Sequence, residues 1–194
     1  MSEAEYLAYD RAHGGTYEYV DGEVVARSSG SAAHDRIQIN TVVALRYRLL
    51  DASPRAVSRT RARAHGAGQR IHLAETGIYA YPDAAIVWDE PVYASADREA
   101  VVNPTVLVEV FSEASEIYDR GAKAVRYRRG ASVELILLID SRRRRVERSQ
   151  RNADATWTWS EHTSGAISVL ELELPLEELY EGVVLATESS RSST

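Results

Sequence analysis

Hydrophobic and polar positions in the first quarter of the chain predict two helices with a β-hairpin between them. A capping box, in which Ser2 precedes Glu5 by three positions, predicts a short helix over residues 3–13. Apolar residues that recur every three or four positions predict a longer helix over residues 32–51. Between these helices, an Asp-Gly pair separates two short β-type runs, which predicts a hairpin over residues 16–27.

The middle of the chain carries its most apolar segments. Residues 105–111 are apolar except for Glu109, a pattern typical of a strand that is buried on both faces of a sheet. A second apolar run, 133–139, predicts another buried strand, and the intervening residues 114–129 predict a helix. Further strands are expected at 56–64, 70–73, 84–88, 144–150, 155–160 and 166–172, and a short helix at 175–180.

This order of elements predicts one domain, residues 1–185, followed by a disordered tail, residues 186–194. The expected class is α/β (α+β), a mixed β-sheet flanked by helices, with an N-terminal helix and a β-hairpin. The 194 residues contain no apolar run near the roughly 20 residues of a membrane span, so no membrane partner is expected. The absence of cysteine excludes disulfides and thiolate nucleophiles and is compatible with a cytoplasmic location.

Charge changes this picture in two ways. The net charge of -6 comes mainly from residues 171–194, and the remainder of the chain is close to neutral, so the total does not exclude a DNA partner. Among 23 basic residues, Lys123 is the only lysine. Because a compact ammonium with a tunable pKa differs chemically from a guanidinium, this position is a candidate for a function that arginine cannot supply.

The candidate chemistry depends on acidic residues next to that lysine. Glu109 lies in the middle of a buried strand, where an unpaired carboxylate costs several kcal/mol, so a compensating cation, a metal ion or a protonated carboxyl is expected. Asp83 opens another strand, and two carboxylates at facing positions of adjacent strands suit Mg²⁺ or Mn²⁺. Asp119, Lys123 and Tyr127 follow at four-residue spacing along one helix face. Two acids, an amine and a divalent ion together favour phosphodiester hydrolysis.

These residues resemble the motif of the PD-(D/E)XK nuclease superfamily, in Tyr81-Pro82-Asp83 followed by Leu107-Val108-Glu109-Val110. An ordered set of further segments is similar to the Uma-type restriction endonuclease branch: Glu5-Tyr6-Leu7, Tyr17 to Glu23, His34, Val108 to Ser112, Asp119 to Tyr127, and Glu134 to Asp140. The segments depart from this pattern outside the acids and the lysine, with Ala84 after the Pro-Asp pair and Ser112 to Ser115 in place of a Ser-Pro-x-Thr turn.

The resemblance implies a restriction-endonuclease-like fold and magnesium-dependent cleavage of DNA, with no organic cofactor. It implies that Asp83 and Glu109 bind the metal. Phe111 occupies the superfamily's usual lysine position, which assigns Lys123, on the helix, to the attacking water. Nucleases of this kind commonly act as homodimers, so a homodimer is expected.

The remaining candidates support these three residues. Glu18 is a candidate third acid at the metal, His34 a DNA or site contact, Asp119 a pairing partner for the lysine, and Tyr127 a core residue whose hydroxyl points to the site. Candidate phosphate contacts are three arginines on one strand face: Arg59, Arg61 and Arg63.

Two alternatives stay open at this stage. The first is a catalytically silent nucleic-acid or protein-binding module on the same scaffold. The second is an unrelated α/β protein in which Glu109 and Lys123 form a structural ion pair.

Overall fold

The computed structural model describes residues 1–14, 17–27, 30–51 and 62–185. The helices are α1 (Glu3–His13), α2 (Ala32–Asp51), α3 (Ala124–Arg129) and α4 (Leu176–Leu179), with a π-helical turn (Tyr118–Lys123) directly before α3. The strands are β1 (Tyr17–Val20), β2 (Glu23–Ala26), β3 (Arg63–Gly66), β4 (Ile71–Leu73), β5 (Ile78–Ala80), β6 (Ala84–Val87), β7 (Val106–Phe111), β8 (Leu135–Asp140), β9 (Val146–Arg151), β10 (Trp157–His162), β11 (Ala166–Val169) and β12 (Leu172–Pro175).

Local sequence determines the N-terminal elements as predicted. The Ser2 hydroxyl accepts a hydrogen bond from the Glu5 backbone N–H, and the Glu5 carboxylate accepts one from the Ser2 N–H, so the capping box of α1 is formed. The turn between β1 and β2 places Asp21 and Gly22 at φ values of 53° and 86°. Aspartate and glycine tolerate this left-handed region, which explains why the pair makes a tight hairpin.

The central sheet has six strands in the order β10-β9-β8-β7-β6-β3. Strands β7 and β8 run parallel, and every other neighbouring pair in this sheet is antiparallel. The prediction that residues 105–111 form a central buried strand is confirmed, because β7 lies between β6 and β8 and is buried along its whole length. Its side chains alternate between two layers, since Val108 packs on one face and Leu107 and Phe111 on the other.

Each face of the central sheet is covered by different elements. Helix α2, the β11–β12 hairpin and α4 pack on the Val108 face, and their core residues include Ile37, Leu45 and Ile167. Helix α3 and a four-stranded sheet, in the order β2-β1-β5-β4, lie on the Leu107 side, where Tyr127 belongs to the core. The chain is therefore a mixed sheet flanked by helices, as expected.

Two predicted elements differ from the structure, and two further predictions lie mostly or wholly outside the described residues. The strand predicted at 166–172 is two paired strands, β11 and β12, because the chain turns at Leu170, where φ is 58°. The helix predicted at 114–129 contains the π-helical turn, which widens the helix just before α3. The strand predicted at 56–64 lies mostly outside the described residues, and so does the predicted tail, 186–194. No helix within the described ranges is long and apolar enough to span a membrane.

Candidate active site

A cavity of about 200 Å³ lies where β1, β2, the start of α2, the ends of β6 and β7 and the π-helical turn meet. Its charged lining contains more acids than bases. The acids are Glu18, Asp83, Glu109 and Asp119, and the basic side chains are Arg27, His34 and Lys123. Residues that are distant in sequence thus form one anionic pocket beside a single ammonium.

Lys123 is the buried cation of this pocket, with only 4% of its side chain exposed. Its Nζ lies 2.9 Å from Glu109 Oε1 and 2.9 Å from Glu18 Oε1, and 3.8 Å from Asp119 Oδ1. Burial by itself would lower the lysine pKa, but the charges of Glu109, Glu18 and Asp119 outweigh burial and hold the pKa above its usual value. Lys123 therefore remains protonated.

Glu109 lies in the middle of β7 and points toward Lys123. Its Oε1 accepts hydrogen bonds from the Tyr127 hydroxyl at 2.6 Å and from Lys123, whereas its Oε2 accepts none from any described residue. Burial raises the pKa of Glu109 well above its usual range, Lys123 offsets this only in part, and neighbouring acids such as Asp119 raise it further. Lys123 therefore does not fully compensate the buried charge of the Glu109 carboxylate.

Asp83 stands at the beginning of β6, level with Glu109. The antiparallel register that pairs Ala84 with Val108 places Asp83 opposite Glu109 on the neighbouring strand. This is the facing arrangement of the two carboxylates that the sequence predicted. Asp83 Oδ1 accepts a hydrogen bond from Gln38 Nε2 at 2.7 Å.

The second oxygen of Asp83 has its own partners. Oδ2 accepts from the Val110 backbone N–H at 2.7 Å and lies 3.3 Å from His34 Nε2. Burial would raise the pKa of Asp83, but the hydrogen bonds and charge supplied by His34 and Val110 outweigh it, so the pKa is below its usual value. For His34 the same pairing overcomes burial and raises the pKa.

Glu18 and the π-helical turn complete the wall around Lys123. Glu18 Oε1 accepts from the Tyr81 backbone N–H at 2.9 Å, and Oε2 accepts from the Tyr118 hydroxyl at 3.0 Å. The turn that carries Tyr118 also directs Asp119 toward Lys123, and burial raises the pKa of Asp119. Wide turns of this kind are frequent at functional sites because they reorient side chains within a helix.

The structure brings together most of the predicted site residues. Tyr127 donates a hydrogen bond to Glu109. Six others line the cavity: Glu18, His34, Asp83, Glu109, Asp119 and Lys123. Arg59 and Arg61 lie outside the described residues. Arg63 pairs with Val87 at the other end of β6 from Asp83, and its exposed guanidinium contacts Glu90 at 3.0 Å. A phosphate contact by Arg63 stays a prediction.

Three site residues were missed from the sequence: Arg27, Gln38 and Tyr118. Gln38 follows His34 by four positions on α2, so helical spacing alone could have identified it. Arg27 follows β2 directly; its guanidinium donates to the Ala67 carbonyl at 3.0 Å and lies 3.4 Å from Asp83 Oδ1. Contacts across such sequence distances leave no local pattern.

Comparison with solved structures places this fold among known ones. A structure from Anabaena variabilis, described as a putative nuclease belonging to DUF820, matches with a TM-score of 0.65 over 87% of this chain and 91% of that chain. The two sequences are 16% identical, so the likeness establishes the fold, which is restriction-endonuclease-like.

Sequence comparison extends to two Synechocystis sp. proteins. "Uncharacterized protein sll1609" is 29% identical over 161 residues, covering 83% of this chain and 86% of the relative. "Uncharacterized protein slr1290" is 26% identical over 160 residues, covering 81% and 77%. The Uma2 family model, described as a putative restriction endonuclease, matches residues 3–187. Since this match includes almost the whole described chain, the protein belongs to the Uma2 family of putative restriction endonucleases.

Proposed function

We propose that the protein is a metal-dependent DNA endonuclease that hydrolyses phosphodiester bonds at this cavity, with Mg²⁺ or Mn²⁺ as the ion. One observation carries the proposal. The only lysine of the chain is buried with its amine 2.9 Å from the Glu109 carboxylate, on the wall of a cavity that Asp83 also lines. A membership in the Uma2 family supports the same chemistry.

The donor set fits a hard divalent cation. Glu109 and Asp83 would hold the ion. Oε2 of Glu109 accepts no hydrogen bond from the described residues, and burial and neighbouring acids raise the pKa of this carboxyl, so a cation there would be favourable. The Asp83 oxygens already contact Gln38, Arg27, His34 and the Val110 N–H, so Asp83 would bind the ion alongside these donors. Among the described residues, no three His, Cys, Asp or Glu side chains converge as a ready metal cage. Mg²⁺ is commonly bound through one or two carboxylates together with waters and phosphate oxygens, and a pair of acids supplies that kind of donor. When bound, the ion supplies Lewis-acid polarisation of the phosphate and activation of water.

Lys123 contributes as a charged hydrogen-bond donor. Because Glu109 and Glu18 hold it protonated, it is not a general base. Its ammonium can orient the attacking water and offset negative charge that develops on the phosphate in the transition state. Glu18 fixes the ammonium, and Tyr118 and the Tyr81 N–H in turn fix Glu18, so the donor is positioned before substrate arrives.

Arg27 is suited to hold the substrate at the entrance. Its side chain is 24% exposed, whereas that of Lys123 is 4% exposed. The guanidinium is fixed by the Ala67 carbonyl and lies 5.8 Å from the centre of the Tyr81 ring, which leaves a positioned donor facing the cavity. A DNA phosphate is the anion that such a fork would bind.

Nicking of supercoiled plasmid tests this function directly. In Mg²⁺ or Mn²⁺, we expect wild type to nick and the Asp83→Asn, Glu109→Gln and Lys123→Met variants to lose at least about a hundredfold in rate. Glu147→Gln is the matched control, because it removes a buried carboxylate paired with Arg120 outside the cavity and should leave the rate unchanged. Equal nicking by all five proteins would refute the proposal. A wild type that binds DNA but never nicks it would favour the silent binding module.

A further inference from the structure

Helix α2 presents a row of large apolar side chains to solvent. Ile39, Val43, Tyr47 and Leu50 are 57%, 61%, 65% and 71% exposed, respectively. Their spacing of four, four and three residues places them along one face, opposite the face that packs in the core through residues such as Leu45. A surface helix normally carries polar residues on its outer side, and a contiguous exposed apolar patch marks a contact surface.

Exposed charges border this apolar row. Arg36 lies near the start of α2, and Asp51 is its last residue. Asp51 is at the negative end of the helix macrodipole, and Arg36 lies about one turn from the positive end. Each side chain therefore has an unfavourable interaction with the dipole of its own helix. An antiparallel copy of the same helix would place each of them beside an opposite charge. Asp35 and Arg46, also exposed, border the other side with the reverse order of signs.

We propose that α2 forms the interface of a homodimer, in which two copies pack these helices antiparallel across a two-fold axis near Val43. Two-fold dimers are the commonest homo-oligomers, and their interface pairs one patch with itself. About this axis, Ile39 of one copy faces Tyr47 of the second copy. At a rise of 1.5 Å per residue, Arg36 of the first copy and Asp51 of the second copy lie within about 2 Å of each other along the helix axis.

The interface does not depend on the chemistry of the cavity. A dimer carries two cavities, one for each strand of a duplex, and this consequence alone rests on the proposed nuclease function. The position of the interface rests on the exposed row and its charges. Measurements of association without DNA or metal therefore test the interface separately from nuclease activity.

Sedimentation velocity of the full chain over a range of concentrations is the first test. We expect wild type to form a dimer and Val43→Glu to shift the dissociation constant at least tenfold toward monomer. Val92→Glu is the matched control, because Val92 is also exposed, at 53%, but belongs to the segment between β6 and β7 and not to α2. A wild type that stays monomeric at all concentrations, or a Val43→Glu variant that dimerises normally, would overturn the interface.

Charge reversal tests the antiparallel arrangement. Arg36→Asp and Asp51→Arg should each weaken the dimer at least severalfold, and the double variant should restore it, because each reversed charge again faces an opposite one. Parallel helices would set the reversed residues beside Asp35 and Arg46, so the double variant would associate more weakly than either single variant. That result, with circular dichroism confirming folded chains, would overturn the proposed geometry.

Discussion

Two buried cationic side chains, Lys123 and Arg70, each contact buried acids, but they lie in different parts of the fold. Lys123 contacts Glu109 and two other acids, while Arg70 contacts Asp10 at 3.0 Å and Asp97 at 3.2 Å, the latter without hydrogen-bond geometry. Both cations are more than nine-tenths buried. The Lys123 group lines a cavity, whereas the Arg70 group ties α1 and the loop after β6 to the start of β4.

The comparison separates two uses of buried charge. Burial of an ion pair is by itself weak evidence of function, because structural ion pairs are buried as well. Both groups contain more acids than bases, so what distinguishes the Lys123 group is its access to a cavity. Four carboxylates face the cavity, and one of them, Glu109, keeps an oxygen without a hydrogen bond from the described residues. A candidate site is therefore recognised by buried charge that lines open space, and not by buried charge alone.

The largest effect is expected where buried charge is structural. Arg70→Met should lower the free energy of unfolding by about 3–5 kcal/mol, because it leaves Asp10 and Asp97 buried without their cation. Urea unfolding measures this loss, and nicking should persist under conditions where the variant is folded. Arg63→Met, which removes an exposed arginine paired with Glu90, should stay within about 0.5 kcal/mol of wild type. A loss below 1 kcal/mol for Arg70→Met would show that the two groups do not differ as argued.

A smaller effect should distinguish the groups through metal. At Mg²⁺ concentrations ten times the dissociation constant, binding should stabilise wild type by about 1.4 kcal/mol, or roughly 3–6 °C in Tm. Glu109→Gln should lose this shift because it removes a proposed metal ligand. Asp97→Asn, in the Arg70 group, should retain it at a lower starting Tm. Scanning calorimetry with and without Mg²⁺ makes the measurement, and an equal shift in both variants would contradict the assignment of the ligands.

The smallest effect concerns a third group of buried charge, in which Asp140 contacts three arginines, Arg142, Arg143 and Arg145. Burial would raise its pKa, but hydrogen bonds from Arg142 and Arg143 outweigh burial and lower the pKa below 3.8. Since the folded pKa lies below the unfolded one, the carboxylate stabilises the fold above pH 3.8, and this contribution disappears as pH falls through the folded pKa.

Unfolding midpoints in urea between pH 2 and 6 would detect that contribution. Wild type should lose stability below pH 4 more steeply than Asp140→Asn, which has no carboxylate to protonate. Glu109 has the opposite sign, because its raised pKa means that ionisation costs stability as pH rises. Parallel pH curves for wild type and Asp140→Asn would contradict the role given to the arginines.

Much of the fold could be predicted because its elements have local causes. The capping box of Ser2 and Glu5 begins α1, and the apolar run around Glu109 has no stable place except a central strand. The β11–β12 hairpin was missed because its turn depends on Leu170 at positive φ, which no sequence rule predicts for leucine. The π-helical turn was missed because its residues have ordinary helical spacing.

The candidate site was only partly predictable. Acids in apolar strands and a lone lysine are visible in the sequence, since each conflicts with its surroundings or composition. Arg27 and Tyr118 are unremarkable in their segments, and they reach the site only because β2 and the π-helical turn fold against the same cavity. Long-range packing places such residues, and one sequence shows no pattern for it.

The alternation of side chains along β7 makes the length of this strand part of the site. Leu107, Glu109 and Phe111 point to one layer of the molecule, and Val108 and Val110 point to the other. Inserting or deleting a single residue before Glu109 would slide the strand by one position and exchange the two faces. A valine would then face the cavity, and the carboxylate would enter the aliphatic layer beneath α2. Exchange of one apolar side chain of β7 for another should therefore be tolerated more readily than insertion or deletion of one residue before Glu109.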